Sequence, residues 1–482
     1  VCTDKYERLT HAYGKSYKDL VRIRKGLIPV CHDLIIYPKT EQEIVKILAI
    51  AEKNNLKIIP FGGGTSVVGG VEHQSESPSI CLDLTKNLNR LLNLDKKSHL
   101  ATFQAGIFGP DLEKSLNERG YTLSHYPQSF EFSTLGGWVA ARSAGQQSTK
   151  YGKIEKLVSS LNLVSPKGEM QTRKLPAKAT GPDLNQIIIG SEGIYGIITE
   201  VTVKIHPLPE VRDYRGYLFE SFNDGIKFIK ELIHEKELFP ATVRLSDEVE
   251  TRLLFKLSDK KHSFIKDKVN NLVKTYMKEV KHFSFDNICF LLLGFEGLKE
   301  KVNFDNNQVH DLLRRHKVVS LGKSIGERWY ETRFDLPYLR DALLDKGVLV
   351  DTLETSTIWS NVDNLYNSVK TSLEKGITET DAKGFSACHI SHIYPEGASL
   401  YYTFVANQKI GNELEQWLII KRKATDAIVE NYGAISHHHG IGSDHTPWLK
   451  YEIGETGINI LKGIKEKLDP ANVMNPQNLL ES

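Results

Sequence analysis

The sequence predicts an α+β protein with two main domains, and three observations lead to this class. The chain has 482 residues, which is too long for a single hydrophobic core. Over about the first two hundred residues, strand-like and helix-like segments alternate and three separate loops carry glycines. Two prolines in HPLPE (206–210) then break the pattern, and helices separated by isolated strands follow, so we place the domain boundary there.

The composition excludes several classes of function. Charged residues make up 25% of the chain and the formal net charge is only +2, so no basic field favours nucleic acid as a partner. No apolar stretch is long enough to span a bilayer. The cysteines are far apart and lack a CxxC pair, which favours a reducing compartment: Cys2, Cys31, Cys81, Cys289 and Cys388.

Residues 1–30 are predicted to be a helical segment in which basic and apolar residues alternate between Tyr6 and Leu27. A basic amphipathic helix can lie on a membrane surface, so peripheral membrane contact is one interpretation. The commoner interpretation, which we favour, is a solvated face packed against the next domain.

The first predicted domain, residues 31–210, begins with a strand, a helix and a second strand: 34–37, 41–54 and 56–59. Thr40 and Glu43 have capping-box spacing at the start of the helix. The second strand ends at PFGGGTSVVGG (60–70). Free backbone N–H groups in such a loop build a nest for phosphate oxygens, although a glycine run alone is more often an ordinary turn. The preceding strand and helix favour a phosphate-bearing cofactor.

Two further loops of this domain carry small residues. SFEFSTLGGWVAARSAG (129–145) is rich in glycine, alanine and serine, and the segment 187–205 bends at glycines into a strand. Small side chains let the backbone approach a flat ligand closely, although they serve tight helix packing equally well. The other predicted elements here are strands at 79–84 and 100–106, a helix from Pro110 to Gly120 and a hairpin turn at 166–168.

The second domain is predicted to consist of helices and strands of sheet-edge length. The predicted strands are 214–219, 242–245, 288–293, 385–393 and 398–405, and the predicted helices are 224–235, 265–280, 306–316 and 413–431. The last two strands are expected to form a hairpin.

Three adjacent histidines in ISHHHGIG (435–442) are the most unusual local feature. If this segment is extended, at most two of the three side chains share a face. Imidazole suits proton transfer near neutral pH, because its ordinary pKa is about 6.5. A structural turn is the alternative that the local sequence favours slightly, and metal ligation ranks last because the usual ligand spacing is absent.

Two arginines and two tyrosines are further candidates. Arg244 and Arg340 lie close to apolar residues and could each clamp a phosphate or carboxylate, although most arginines are surface charges. Tyr401 and Tyr402 occupy a strand-like run, where adjacent side chains point to opposite faces. One is expected in the core and the other is able to donate its phenol O–H to a reacting oxygen. The pattern does not choose between them.

Four segments resemble the FAD-binding signatures of the vanillyl-alcohol-oxidase flavoprotein superfamily: PFGGGTSVVGG, PQSFEFSTLGGWVAARSAG, TGPDLNQIIIGSEGIYGIITEVTVKIHPLPE and DPANVMNPQNLL. Within it, four other segments are similar to the alkyldihydroxyacetonephosphate synthase family: PATVRLSD, PYLRDALLDKGVLVDTLETSTIW, GASLYYTF and SHHHGIG. The resemblance implies an FAD-binding domain of that superfamily type with an α+β cap at 211–436 that carries the substrate. The segment 437–482 would return to the FAD domain, and FAD would lie between the two.

The resemblance also implies the residues that hold FAD. Members that tether FAD covalently carry a histidine in the first glycine loop, where this chain has Thr65, so we expect non-covalent FAD. The cofactor-binding positions matched by motif are Pro60, Phe61, Gly62, Gly63, Gly64, Thr65, Ser66, Pro127, Gln128, Ser129, Phe130, Glu131, Phe132, Ser133, Ala141, Arg142, Ser143, Ala144, Gly190, Ser191, Glu192, Gly193, Ile194, Tyr195 and Gly196.

The chemistry that the resemblance implies is an exchange without net oxidation. The acyl chain of acyl-dihydroxyacetone phosphate is replaced by a long-chain fatty alcohol through a covalent intermediate at flavin N5, which gives the alkyl-dihydroxyacetone phosphate of ether lipids. The site residues carried over by motif are Tyr401 as the acid–base residue, His437, His438 and His439 for proton transfer, Arg340 for the substrate carboxylate or phosphate, and Arg244 in support. A homodimer and peroxisomal residence are implied by the resemblance alone.

Two alternatives stay open. An FAD-dependent D-2-hydroxyacid dehydrogenase, such as a D-lactate dehydrogenase, would share the cofactor domain. Those enzymes characteristically carry Glu-His-Gly where this chain has His438, His439 and Gly440, and a histidine in place of Tyr401. A non-catalytic flavin-binding protein is the other alternative.

Overall fold

The structure is a computed structural model that describes residues 1–73, 75, 77–258, 283–284 and 286–480. The chain divides into two compact units. Unit 1 comprises Val1–Leu208, Asn412–Trp417 and Ala434–Ser482, and unit 2 comprises Pro209–Gly411 and Leu418–Gly433. The N-terminal thirty residues, predicted as a separate segment, lie within unit 1, as does the C-terminal return.

Unit 1 is built on two main sheets. A parallel sheet contains, in spatial order, Leu34–Ile36, Ser79–Asp83 and Lys57–Phe61. An antiparallel sheet contains, in spatial order, Leu91–Asp95, Leu100–Gln104, Ile197–Lys204, Val158–Ser165 and Gly168–Gln171. A short third pair joins Tyr121–Thr122 to His206–Pro207. Strand residues such as Ile58, Phe103 and Val201 are fully buried, so these sheets carry the core of the unit.

The helices of unit 1 are Lys5–Thr10, Tyr17–Lys25, Glu41–Asn54, Gly109–Asn117, Leu135–Ala140, Ser148–Tyr151, Ile154–Leu157, Leu184–Ile188 and Leu449–Leu468. The helix Glu41–Asn54 has the predicted bounds. Its predicted capping box forms only in part, because the Thr40 hydroxyl accepts from the Glu43 N–H while the Glu43 carboxylate accepts from the Lys39 N–H.

The N-terminal segment contains two helices rather than one amphipathic helix. The chain turns between them, where a Cβ on Gly14 would lie 2.5 Å from the backbone oxygen of Ser66. The second helix begins at a capping box of Ser16 and Asp19 and ends at Gly26, whose φ is +66°. Close packing on the first glycine loop therefore interrupts the helix that composition alone suggests.

Unit 2 is organised around one antiparallel sheet of seven strands. In spatial order they are Val318–Gly322, Val211–Phe219, Cys289–Gly297, Thr242–Ser246, Gly384–Ile393, Gly397–Asn407 and Val348–Ile358. The expectation of isolated strands of edge length was wrong, since four of the predicted strands have nine or more residues and pair within this sheet. The predicted hairpin of the last two sequence segments, 385–393 and 398–405, is confirmed. Val348–Ile358 was not predicted, because Leu353 is the only apolar residue among its positions 351–357.

The helices associated with unit 2 are Phe222–His234, Glu248–Ser258, Lys299–Leu313, Ser324–Thr332, Leu336–Leu344, Val362–Glu379 and Glu413–Glu430. The predicted helix 265–280 lies outside the described residues. The helix predicted at 306–316 starts at Lys299 instead. Among the helices that the structure describes, none combines the length and apolar character needed to cross a bilayer.

The two faces of the unit 2 sheet differ in chemistry. Leu400, Tyr402 and Phe404 share one face of their strand and are fully buried. The Tyr402 hydroxyl donates to the backbone oxygen of Leu365 at 3.3 Å, which places this face against the helix Val362–Glu379. The opposite face carries polar residues.

We predict that Phe404→Ala lowers the free energy of unfolding of unit 2 by about 3–5 kcal/mol, because it leaves a cavity in this packed layer. Thermal unfolding of purified protein checks the loss. The control is Ile410→Ala at a side chain that is 79% exposed, which should leave unfolding within about 0.5 kcal/mol of the parent. Equal unfolding temperatures for the two variants would contradict the assigned core.

Candidate active site

The first glycine loop presents a row of backbone donors. In the part of the chain that is described, no protein oxygen accepts a hydrogen bond from the backbone N–H groups of Gly62, Gly63, Gly64 and Thr65. The Ser66 hydroxyl accepts instead from the N–H of Gly70 at 3.0 Å and so closes the turn. Successive unsatisfied N–H groups form an anion-binding nest, so the loop has the chemistry that a pyrophosphate requires.

This loop packs directly on the second predicted cofactor segment. A Cβ on Gly62 would lie 2.3 Å from the Thr134 hydroxyl, and a Cβ on Gly63 would lie 1.6 Å from the backbone oxygen of Phe132. No side chain fits in those spaces. The glycines are therefore required for the two backbones to lie side by side.

The third segment, residues 190–196, meets both of the others. A Cβ on Gly193, whose φ is +78°, would lie 2.7 Å from the Pro60 ring. The Glu192 N–H donates to the backbone oxygen of Ala140 at 3.0 Å, beside the predicted residues Ala141 to Ala144. The side chains of Ile194 and Tyr195 are buried, so this segment is packed firmly into unit 1.

The Glu192 side chain reaches the loop that carries the histidines. Its two carboxylate oxygens accept the N–H groups of Ile441 at 2.6 Å and Gly442 at 2.8 Å. A Cβ on Gly440, whose φ is +91°, would lie 2.3 Å from one of these oxygens. Burial raises the pKa of Glu192 to about 7, although the two donors favour its charged form.

The three histidines lie in a bend, so the expectation for an extended segment does not apply. The Nδ1 atoms of His437 and His438 are 2.9 Å apart, and the rings of His438 and His439 meet edge to face at 4.6 Å. The Ser436 hydroxyl accepts the N–H of His439 at 3.1 Å. The Lys153 ammonium donates to the backbone oxygen of His437. All three rings are thus held close together by local contacts.

The C-terminal tail ties two of the glycine loops to each other. The Asn475 side-chain amide donates to the backbone oxygen of Glu192 at 2.7 Å and to that of Gly70 at 3.1 Å. The Asn475 N–H also donates to the Ile58 oxygen, which extends the edge of the parallel sheet. The tail therefore fixes the spacing of loops that are far apart in sequence.

In unit 2, cross-strand pairing places polar side chains in one row across the sheet. Directly paired residues of an antiparallel sheet lie on the same face. Ser246 pairs with His389, His389 with Tyr401, and Tyr401 with Glu354. Arg244 precedes Ser246 by two positions and shares this face.

Arg244 and His389 of this row form a hydrogen-bonded triad with Glu250 of the helix Glu248–Ser258, in which His389 is buried and the other two are partly buried. A single oxygen of Glu250 accepts from Arg244 Nη2 at 2.7 Å and lies 3.0 Å from His389 Nδ1. Burial alone would raise the pKa of Glu250, but Arg244 and His389 hold it well below its ordinary value. Burial and the Arg244 charge together lower the pKa of His389. The imidazole is therefore neutral near pH 7, and the carboxylate is ionised.

The Tyr401 side chain lies next to this triad, whereas the neighbouring Tyr402 points to the opposite face of the sheet, into the core. The Tyr401 ring stacks on His389 with a centroid distance of 4.9 Å, and its hydroxyl donates to Thr352 Oγ1 at 3.1 Å. Burial raises the pKa of Tyr401 to about 12, while the Arg340 charge acts in the opposite direction. Arg340 is thus within electrostatic range of the phenol.

Comparisons with known proteins bear on this geometry. The model of the FAD binding domain family matches residues 32–173, and that of the C-terminal domain of FAD linked oxidases matches 208–479. Alkyldihydroxyacetonephosphate synthases of Dictyostelium discoideum and Trypanosoma brucei brucei are each 37% identical to this chain, over 99% of it and 78% of the relative. A solved structure of an alkyldihydroxyacetonephosphate synthase matches with a TM-score of 0.82 and 35% identity, over 99% of this chain and 82% of that one.

The chain belongs to the alkyldihydroxyacetonephosphate synthase family. It is an FAD-dependent enzyme, and the predicted α+β fold and FAD cofactor are confirmed. The structure fits that cofactor, because the N–H groups of Gly62 to Thr65 donate to no acceptor among the described residues and the two other predicted segments pack against this loop. Non-covalent attachment and the individual site residues stay predictions.

Sequence reasoning missed His389, Glu250 and Thr352, all of which contact Arg244 or Tyr401. His389 lies in the predicted strand 385–393. The alternation of side chains along a strand predicts which face His389 occupies, but not which residues it contacts. Glu250 lies on a helix that was not predicted. Cross-strand register was the missing information.

We predict that Glu192 makes stability depend on pH. Its folded-state pKa of about 7 lies above its ordinary value of 4.5, so its contribution is fully present below pH 4.5 and is lost as pH rises through about 7. Relative to Glu192→Gln, the wild-type free energy of unfolding should fall by about 3 kcal/mol between pH 4.5 and 7.5. Chemical denaturation of both proteins across this range measures the difference, and a pH-independent difference would show that Glu192 does not titrate there.

Proposed function

We propose that this enzyme exchanges the acyl chain of acyl-dihydroxyacetone phosphate for a long-chain fatty alcohol, and so makes the alkyl-dihydroxyacetone phosphate of ether lipids. The observation that carries the proposal is the Tyr401 phenol, which sits on the polar face of the unit 2 sheet beside His389. Membership in the synthase family supports the same conclusion.

In this proposal Tyr401 is the acid–base residue. With a pKa of about 12 the phenol keeps its proton at neutral pH and acts first as a donor. Tyr401 can accept a proton only after another group has removed the phenol proton. The His389 ring that stacks on it adds no charge, because burial and the Arg244 charge lower the pKa of that imidazole.

FAD, when bound, supplies the reactive ring at which the chains are exchanged without net oxidation. Backbone N–H groups of Gly62 to Thr65 would hold its phosphates, and the segments 127–133, 141–144 and 190–196 would contact the remainder. His437, His438 and His439 would move protons, since imidazole exchanges protons near neutral pH. Arg340 would pair with the carboxylate or phosphate of the substrate, and Arg244 would support the site through Glu250.

The finer partner assignments also belong to the proposal. The substrates are acyl-dihydroxyacetone phosphate and a fatty alcohol, and the resemblance adds a homodimer, peroxisomal residence and peripheral membrane contact. Nucleic acid is not a proposed partner, because the formal net charge is only +2.

One assay tests the function. Purified enzyme is given acyl-dihydroxyacetone phosphate and labelled hexadecanol, and separately D-lactate with a reducible dye. Label in an alkyl ether product is the expected result. Dye reduction by D-lactate without ether product would support the dehydrogenase alternative. If the protein catalyses neither reaction, the non-catalytic flavin-binding alternative is the one that remains.

We predict that Tyr401→Phe lowers kcat for ether formation by about 10²–10⁴-fold, because the variant lacks the transferable proton. FAD content, measured from the flavin absorbance of the purified protein, should stay unchanged. Tyr402→Phe is the matched control, since it removes the neighbouring hydroxyl on the core side of the strand. Full turnover by Tyr401→Phe would remove Tyr401 from the acid–base role.

A further inference from the structure

The basic N-terminal helix Tyr17–Lys25 is held by acidic residues of its own unit. Lys18 pairs with Glu72 at 3.0 Å and with Asp444 at 2.6 Å. Arg22 also pairs with Glu72, and Lys25 with Glu413. Three of the charges that suggested a membrane surface, those of Lys18, Arg22 and Lys25, are therefore engaged within unit 1.

Lys18 differs from the other cations of this helix in what it reaches. Its ammonium also donates to the Ser443 hydroxyl at 3.0 Å. Ser443 and Asp444 directly follow the turn that Glu192 holds, and Asp444 lies five residues after His439. Glu72 lies just beyond the first glycine loop. One ammonium thus joins the two loops at a side chain that is only 14% exposed.

The path of Lys18 depends on a glycine. A Cβ on Gly69, whose φ is +75°, would lie 2.3 Å from the Ser443 hydroxyl oxygen and 3.0 Å from Lys18 Nζ. The backbone oxygen of Val68 accepts the N–H groups of Ser443 and Asp444 at 3.0 and 3.1 Å. The loops therefore touch through their backbones at the point where Lys18 bridges their side chains.

A second contact anchors the same N-terminal segment on the first glycine loop. The Lys15 N–H donates to the backbone oxygen of Ser66 at 2.6 Å. Because Lys15 and Lys18 are three residues apart, one short segment contacts both Ser66 and the end of the histidine loop. Its position is fixed at both loops.

From these contacts we propose that Lys18 is a positioning residue, which holds the histidine loop (His437 to Asp444) on the first glycine loop. The catalytic part of this inference rests on the proposed function, because it assigns proton transfer to the histidines. The ordering of the loop by Lys18 does not depend on that assignment.

Charge balance supports a fixed ammonium at this point. Burial would lower the pKa of Lys18, but Asp444 and Glu72 raise it above its ordinary value, so the group stays charged. Removing one partner of a buried pair leaves the remaining charge without compensation, which is strongly destabilising locally. Loss of the Lys18 charge should therefore release the residues that it holds.

The test compares Lys18→Met with Lys25→Met. Both variants remove one cation from the same helix and leave an acidic partner, but Lys25 pairs with Glu413 and not with the histidine loop. Hydrogen exchange of a peptide covering residues 436–444 is measured by mass spectrometry, together with FAD content and kcat. In Lys18→Met we expect exchange of that peptide to rise about tenfold or more, while Lys25→Met stays within about twofold of the parent.

Asp444→Asn provides a second variant in case Lys18→Met does not fold. It should also raise exchange of the peptide, and the double variant should be no worse than the more severe single one, because both act through one contact. Parental exchange in folded Lys18→Met, or in Asp444→Asn where Lys18→Met does not fold, would overturn the positioning role. If wild-type protein makes no ether product, the proposed function fails while the exchange result still decides the role of Lys18.

Discussion

The absence of side chains at Gly62 and Gly63 is the constraint on which the proposed cofactor site depends. Both positions lie so close to the backbone around Phe132 and Thr134 that a single methyl group would overlap a protein atom. Among the residues that the structure describes, the N–H groups of Gly62 to Thr65 donate to no protein acceptor. A binding surface made of backbone is therefore the direct result of packing between two loops.

The same packing organises residues that are far apart in the chain. Glu192 connects the third glycine loop to the turn after the histidines, and Asn475 connects that loop to Gly70. Each contact uses a buried polar group whose hydrogen bonds offset the cost of burial. The histidine segment is consequently attached to the glycine loops by the side chains of Glu192 and Asn475.

In unit 2, one face of the sheet carries polar groups that are largely shielded from water, so their charges must be compensated. Ionised Glu250 compensates the charge of Arg244, and the neighbouring His389 stays neutral. The phenol of Tyr401 can then stack on an uncharged ring. Its raised pKa follows from burial in this environment, so the phenol is protonated at neutral pH.

Much of this arrangement could be predicted from the sequence, but its contacts could not. Local signals located the helix Glu41–Asn54 and the glycine loops, because caps, apolar spacing and glycine runs act over a few residues. The choice between Tyr401 and Tyr402 required the strand register, which depends on pairing with distant strands. The contact from Glu192 to Ile441 joins residues 249 positions apart, so no local pattern encodes it.

The most direct measurement of the central claim is the affinity of Gly63→Ala for FAD, determined by flavin titration of the apoprotein and accompanied by circular dichroism. We expect a loss of about 10- to 100-fold, because the added methyl group must push the two loops apart. Gly463→Ala, on a helix where a Cβ meets nothing within 4 Å, should bind FAD like the parent. Unchanged affinity in folded Gly63→Ala would contradict a cofactor site built from closely packed glycine backbone.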